Sequence, residues 1–89
     1  MKLVKTSFYS RIEKRFFKQH KDLLGKYADV LKKLKNNPFD SVLKTHKLQG
    51  ELKEYHACSL TYKFRIIILI KIVNNEIYLI NIGNHDEVY

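Results

Sequence analysis

Eighty-nine residues leave room for a single domain, and 45% hydrophobic residues with only three Gly and one Pro exclude a disordered or fibrous chain. The formal net charge of +8 is lopsided: residues 1–35 hold eleven Lys or Arg against three acids, while residues 36–89 hold six of each. A cationic first half suits nucleic acid or an acidic protein partner. The lone Cys58 excludes an internal disulfide and a CxxC metal site, and reads as a small buried hydrophobe in a strand. The N-terminus lacks the apolar stretch of a secretory signal. The most apolar run, from Phe64 to Val73, contains Lys71 and is too short to cross a bilayer as a helix. A cytoplasmic protein with no membrane contact is the expectation.

Lys2 to Thr6, with Leu3 and Val4 apolar, reads as a short first strand. Ser7 or Ser10 offers a cap for a helix whose stripe is Phe8, Ile12 and Phe16, widened by Tyr9 and Phe17 and ending near His20. Asp22 offers a cap for a second helix, in which Leu24, Tyr27, Leu31 and Leu34 recur at helical spacing. Asn36-Asn37-Pro38 stops it, because proline lacks a donor and excludes helical geometry at the residue before it. Two amphipathic helices joined this tightly form an antiparallel hairpin that needs an apolar platform.

The platform is the C-terminal half. A loop from Pro38 to Gly50 carries His46 and Lys47. Strands are expected near Glu54 to Thr61, from Lys63 to Val73, and from Ile77 to Ile82, with Asn74-Asn75 as a tight turn and Gly83 closing the last strand. The fold class is therefore α+β: an N-terminal strand, a helix hairpin, then a three-stranded antiparallel meander with the helices on one face. Period-two alternation turns Phe64, Ile66, Ile68, Ile70 and Ile72 toward the helices and Lys63, Arg65, Ile67, Leu69 and Lys71 away. On the last strand the same count puts Tyr78, Ile80 and Ile82 in the wall and leaves Ile77, Leu79 and Asn81 beside Arg65. The far face thus has a cationic end at Lys63 and Arg65 and apolar surface for a partner to cover.

Of the four histidines, His20 sits near a helix end and reads as structural or merely exposed. His46 and His85 each lie in a loop at a sheet edge among charged neighbours, where proton-transfer groups are often carried. No HExxH or zinc-ribbon spacing exists, and no Gly-rich nucleotide loop, so neither a metal nor a cofactor is expected. Metal-free RNA cleavage needs a base for the ribose 2′-OH, an acid for the departing 5′ oxygen, and cations for the charge that builds on phosphorus. Two histidines with Arg65 and a nearby lysine meet that need, and arginine's planar fork fits phosphate oxygens. Tyr89 offers a ring to stack on a base or a hydroxyl to steady the phosphate.

Three segments carry a resemblance: Thr45-His46-Lys47-Leu48-Gln49-Gly50 followed by Leu52-Lys53-Glu54-Tyr55, then Phe64-Arg65-Ile66-Ile67, then Ile82-Gly83-Asn84-His85-Asp86-Glu87-Val88-Tyr89. In this order and spacing the chain resembles the RelE/ParE superfamily of bacterial toxins, and within it the YafQ-like toxins that cleave messenger RNA. The resemblance implies that His46 and His85 are catalytic, His85 as general acid, with Arg65 and Tyr89 completing the site. Lys47, Lys63 and Asn81 then serve as RNA-binding helpers, Asn81 standing where an arginine is expected. A further histidine and an aspartate of the pattern fall at Ser59 and Lys63, and His56 lies on the opposite parity from Ser59.

The resemblance also implies partners: messenger RNA on the ribosome, a cognate antitoxin that blocks the site, and operator DNA only through the toxin–antitoxin complex. Poisoning of DNA gyrase, as on the ParE side of the superfamily, is the rival activity, though it gives no reason for histidines flanking a cationic patch. A non-catalytic RNA- or antitoxin-binding module is the third reading.

Overall fold

A computed structural model describes residues 1–89. It builds strand β1 (Lys2–Lys5), helices α1 (Ser7–Gln19) and α2 (Leu24–Asn36), strands β2 (His46–Lys47), β3 (His56–Ser59), β4 (Phe64–Lys71) and β5 (Glu76–Asn84), and a C-terminal turn of helix, α3 (His85–Val88). The strands form one sheet in the order β1-β5-β4-β3-β2, antiparallel except where β1 runs parallel to β5.

Thr6 rather than Ser7 or Ser10 caps α1, its Oγ1 accepting the Tyr9 N–H at 3.0 Å. The buried stripe of α1 is centred one residue later than Phe8: Tyr9 and Phe17 are buried, Ile12 and Phe16 pack on the core, and Phe8 stays half exposed. Asp22 does not cap α2. A 3-10 turn, Lys21–Leu23, leads into the helix with no side-chain cap. Tyr27, Val30 and Leu34 of α2 face inward. Asn37 ends α2 as expected, with extended angles of φ −163° and ψ 104° before Pro38. The two helices and β1 are tied by a polar chain. The Tyr9 and Tyr27 hydroxyls lie 2.8 Å apart, the Tyr27 hydroxyl donates to the Glu13 carboxylate, and Lys5 Nζ lies 2.8 Å from the same carboxylate. Burial pushes both phenols up, so they remain neutral hydrogen-bonding groups.

Phe64, Ile66, Ile68 and Ile70 form the wall beneath the helices. Ile72 does not join it. The strand ends at Lys71, and Ile72 lies 79% exposed in the turn, where Asn75 takes a left-handed φ of 55°. The alternation expected for β5 also fails at one point. Ile67 pairs with Asn81 but Ile68 pairs with Leu79, so Ile80 is an extra residue in a β-bulge. The bulge reverses parity: Ile77 and Leu79 enter the main core beside Ile82, while Ile80 packs on the far face. Cys58 is buried in the same core, and its thiol is pushed up to about 12 by burial, as suits an inert structural residue.

Two further differences matter for the far face. His46 and Lys47 lie not in a loop but in β2, which adds a fourth antiparallel strand by pairing His46 with Ala57 and Lys47 with His56. Gly83 does not close β5; the strand continues to Asn84 and turns directly into α3.

Candidate active site

The sheet face turned away from α1 and α2 is set by register. One row of paired residues runs His46, Ala57, Ile67, Asn81; the next runs Ser59, Arg65, Gly83. Over these rows α3 folds back. Asn84 Oδ1 accepts the Glu87 N–H at 2.8 Å, and Glu87 Oε1 accepts the Asn84 N–H at 2.9 Å, a reciprocal capping box. Glycine at 83 leaves room for this return, since a Cβ there would lie 3.1 Å from Glu87 Oε1 and 3.3 Å from Val88 Cγ1. Val88 is buried with Ala57 and Ile67, and Leu48, Tyr55 and Ile80 pack around them. The chain therefore covers part of the apolar far face itself.

The returning turn presents two of the expected residues together. His85 projects with its side chain 72% exposed, and its ring meets Tyr89 edge to face at 4.3 Å between centroids. Asp86 Oδ1 lies 3.8 Å from His85 Nδ1, an exposed pair that contributes little. Burial pushes the Tyr89 phenol up and the charge of Arg65 pulls it partly back, so Tyr89 stays a neutral donor within the electrostatic reach of Arg65. Arg65 is anchored from below. Its Nη1 donates to the carbonyls of Thr61 at 2.8 Å, Tyr62 at 3.1 Å and Phe64 at 3.3 Å, which leaves the other face of its fork for an anion.

His46 stands on the same face but apart. Its Nδ1 lies 3.1 Å from the Lys44 carbonyl, and a hydrogen on Nδ1 satisfies that contact and leaves Nε2 as a free acceptor, the form a general base requires. At the usual strand spacing, β2 is about 10 Å from β4, and His46 makes no hydrogen bond to Arg65, His85 or Tyr89.

The three helpers separate further. Lys47 has the opposite parity from His46 and lies beside His56. Lys63 precedes β4 in the turn, and its Nζ sits 5.4 Å from the ring centroid of Phe64, toward the helix side. Asn81 accepts the Ile82 N–H through Oδ1 and lines a groove with Phe8, Arg15 and Glu87 at the free edge of β5. His56 also stays away from the site. It stacks edge to face on Phe39 at 5.5 Å, its Nδ1 is buried without a partner, and burial, aided by Lys47 and His46, holds its pKa below 6.5. Ser59, by contrast, shares a row with Arg65. No group of three or more His, Cys, Asp or Glu side chains comes together as a metal site.

Sequence reasoning missed α3 and with it the roles of Gly83, Asn84 and Val88. The signal was present: Asn84 followed three residues later by Glu87 is a helix-start pattern.

A strand, a helix hairpin and a four-stranded antiparallel sheet, with the first strand parallel to the last and a short helix returning over the open face, define the RelE/ParE-type fold, in its YafQ-like form. No protein-family model and no curated protein matches the chain. Solved structures do. A metal-bound toxin from Helicobacter pylori superposes with a TM-score of 0.84 at 24% identity, covering 100% of this chain and 99% of that one. A histidine-to-glutamine mutant of YafQ from E. coli gives 0.82 at 25% identity, covering 98% and 96%. The E. coli DinJ–YafQ toxin–antitoxin complex gives 0.79 at 25% identity, covering 98% and 94%.

Proposed function

We propose that this chain is the toxin of a toxin–antitoxin pair, an endoribonuclease that cuts messenger RNA, with the ribosome as the setting for the cut. The observation that carries the reading is the pairing of His85 with Tyr89 on the capped turn over the open sheet face, above the strand row that holds Arg65 and Gly83. The likeness to YafQ over nearly the full length supports it.

In this reading His46 takes the proton from the ribose 2′-OH. The 2′ oxygen bonds to the adjacent phosphorus, and the bond from phosphorus to the 5′ oxygen breaks. His85, protonated, gives its proton to that departing oxygen. The products are a 2′,3′-cyclic phosphate and a 5′-hydroxyl. Arg65 stabilises the charge on the non-bridging oxygens, and Tyr89, neutral, donates a hydrogen bond to the phosphate or stacks on the neighbouring base. The span between His46 and Arg65 means that the base reaches the RNA from the β2 side and the acid from the α3 side. Lys47, Lys63 and Asn81, being dispersed, contact flanking RNA rather than the scissile phosphate.

An acidic antitoxin that covers this face supplies inhibition by charge and by occlusion. The DinJ–YafQ complex supports such a partner. The test is cleavage of a translated messenger RNA by the wild-type protein and His85→Ala, with and without ribosomes. Cuts by wild type alone are expected, with a loss of about 10²–10⁴-fold in the variant. Equal cleavage by both would remove His85 from the mechanism. No cleavage by the folded wild type under either condition would favour gyrase inhibition or a binding-only role.

A further inference from the structure

A second surface adjoins the site without belonging to it. Between α2, the turn after β3 and the chain before β2 lies a cleft of about 290 Å³. Lys26 and Lys33 of α2 line one wall, two helical turns apart and thus about 10 Å along the axis. Lys44 lines its mouth, and Arg65 joins it from the candidate active site. Asp29 is the only acid among the lining residues. The rim carries Tyr62, 98% exposed and in ring contact with no other aromatic side chain.

We propose that this cleft binds single-stranded RNA that runs on from the scissile phosphate, with Lys26, Lys33 and Lys44 holding backbone phosphates and Tyr62 stacking on an unpaired base. Cations tracking a groove beside an exposed aromatic ring form the arrangement that binds single strands without sequence preference. The ring is the discriminating feature. An aromatic side chain that packs on nothing loses no structural role in taking up a base.

Arg65 makes the path continuous, because it lines the cleft and is paired across the sheet with Gly83, at the foot of the turn that carries His85 and Tyr89. Lys44 adds an independent sign. It adopts a left-handed backbone, φ 52° and ψ 36°, which glycine or asparagine would adopt at lower cost. The lysine there holds a charge at the cleft in spite of that backbone cost. An acidic peptide helix fits less well. It would need a broad apolar surface to seat its own apolar face, and of the aliphatic lining residues Val30, Leu43 and Leu60 are buried, which leaves Val42 alone exposed. Asp29 suits RNA as an acceptor for a base amino group.

The choice of RNA rests on the nuclease reading, so the probe is a single-stranded 2′-O-methyl RNA 12-mer, which binds but cannot be cut. Its affinity for the full-length protein is measured by fluorescence anisotropy across a salt series. K26E/K33E should lose at least about tenfold in affinity, and the dependence of log K on log salt should become shallower by about 1.4, two phosphate contacts at 0.7 each. Tyr62→Ala should lose about tenfold with the salt slope unchanged, since stacking releases no counterions. Lys44→Gly should bind more weakly yet melt no lower than wild type.

Unchanged affinity and slope in K26E/K33E would overturn the proposal, as would failure of the wild type to bind the probe. So would a polyglutamate peptide that displaces the RNA while Tyr62→Ala binds normally, which would assign the cleft to an acidic protein. Failure here is separable from failure of the nuclease reading. Binding through these residues by a protein that leaves ordinary RNA intact overturns cleavage alone; cleavage with normal binding by K26E/K33E overturns the cleft alone.

Discussion

Gly83→Val tests whether the returning turn builds the site. Glycine is needed at 83 for space and not for backbone angle, because only Gly50 among the glycines has positive φ. A Cβ at 83 would already stand 3.1 Å from Glu87 Oε1, 3.2 Å from Glu87 Cβ and 3.3 Å from Val88 Cγ1. Valine adds two methyl groups to that atom, and α3 must lift from the sheet. Lifting exposes Val88, now 8% exposed, at a cost of about 2 kcal/mol. Disturbing the Asn84–Glu87 box costs about 1 kcal/mol more. The reduced freedom of the unfolded chain returns up to about 1 kcal/mol. The net loss is about 2 kcal/mol, which lowers the melting temperature by roughly 10 °C in a domain of this size. The loss has a ceiling, because α3 is terminal and β4 and β5 keep their own core beneath the helices. Cleavage should fall much further, since displacement by about 1 Å costs about 10²-fold. Thermal unfolding followed by circular dichroism, alongside the translated-RNA assay, reads both effects. A Gly83→Val protein that melts at or above the wild type and cuts at the wild-type rate would refute the packing argument and the role given to the turn.

Arg65→Ala should slow cleavage by about 10²–10³-fold by removing charge from the transition state. It should also loosen the turn whose three carbonyls its Nη1 holds, and a rate within twofold of wild type would count against it. Ile68→Lys should abolish folding, because the side chain is fully buried and no acid waits beside it; a cooperative melt in that variant would contradict the assigned wall. For His56 the folded imidazole is held below 6.5, so the unfolded state takes up a proton first as the pH falls. Its contribution is fully present above pH 6.5 and is lost on acidification toward the folded value. Melting temperatures from pH 7.5 to 5 should therefore fall more steeply for wild type than for His56→Gln, and parallel curves would dismiss the effect.

Much of the frame was legible from the chain alone, because helical and period-two spacing report directly on which face must leave water. The helix hairpin, the stop at Pro38, the wall of Phe64, Ile66, Ile68 and Ile70, and the Asn74-Asn75 turn all follow from local pattern. So does the charge asymmetry, which places Lys26 and Lys33 on a basic helix. Caps were misplaced by one residue at Thr6, where threonine and the two serines compete with similar chemistry.

What tertiary structure alone decided lies beyond the reach of periodicity. A single extra residue, Ile80, reverses the parity of β5, and nothing in the apolar run Ile77 to Ile82 marks where the bulge falls; the partner strand does. The two-residue β2 is too short to have a pattern and exists only through its bonds to β3. His85 and Tyr89 come together above the row of Arg65 and Gly83 because α3 finds a bare glycine on the sheet and a pocket for Val88. The identities of the candidate residues were written in the sequence. Their distances, with His46 apart and His85 beside Tyr89, were set by packing, because a side chain's neighbours across a sheet depend on register and on the space left by residues remote in the chain.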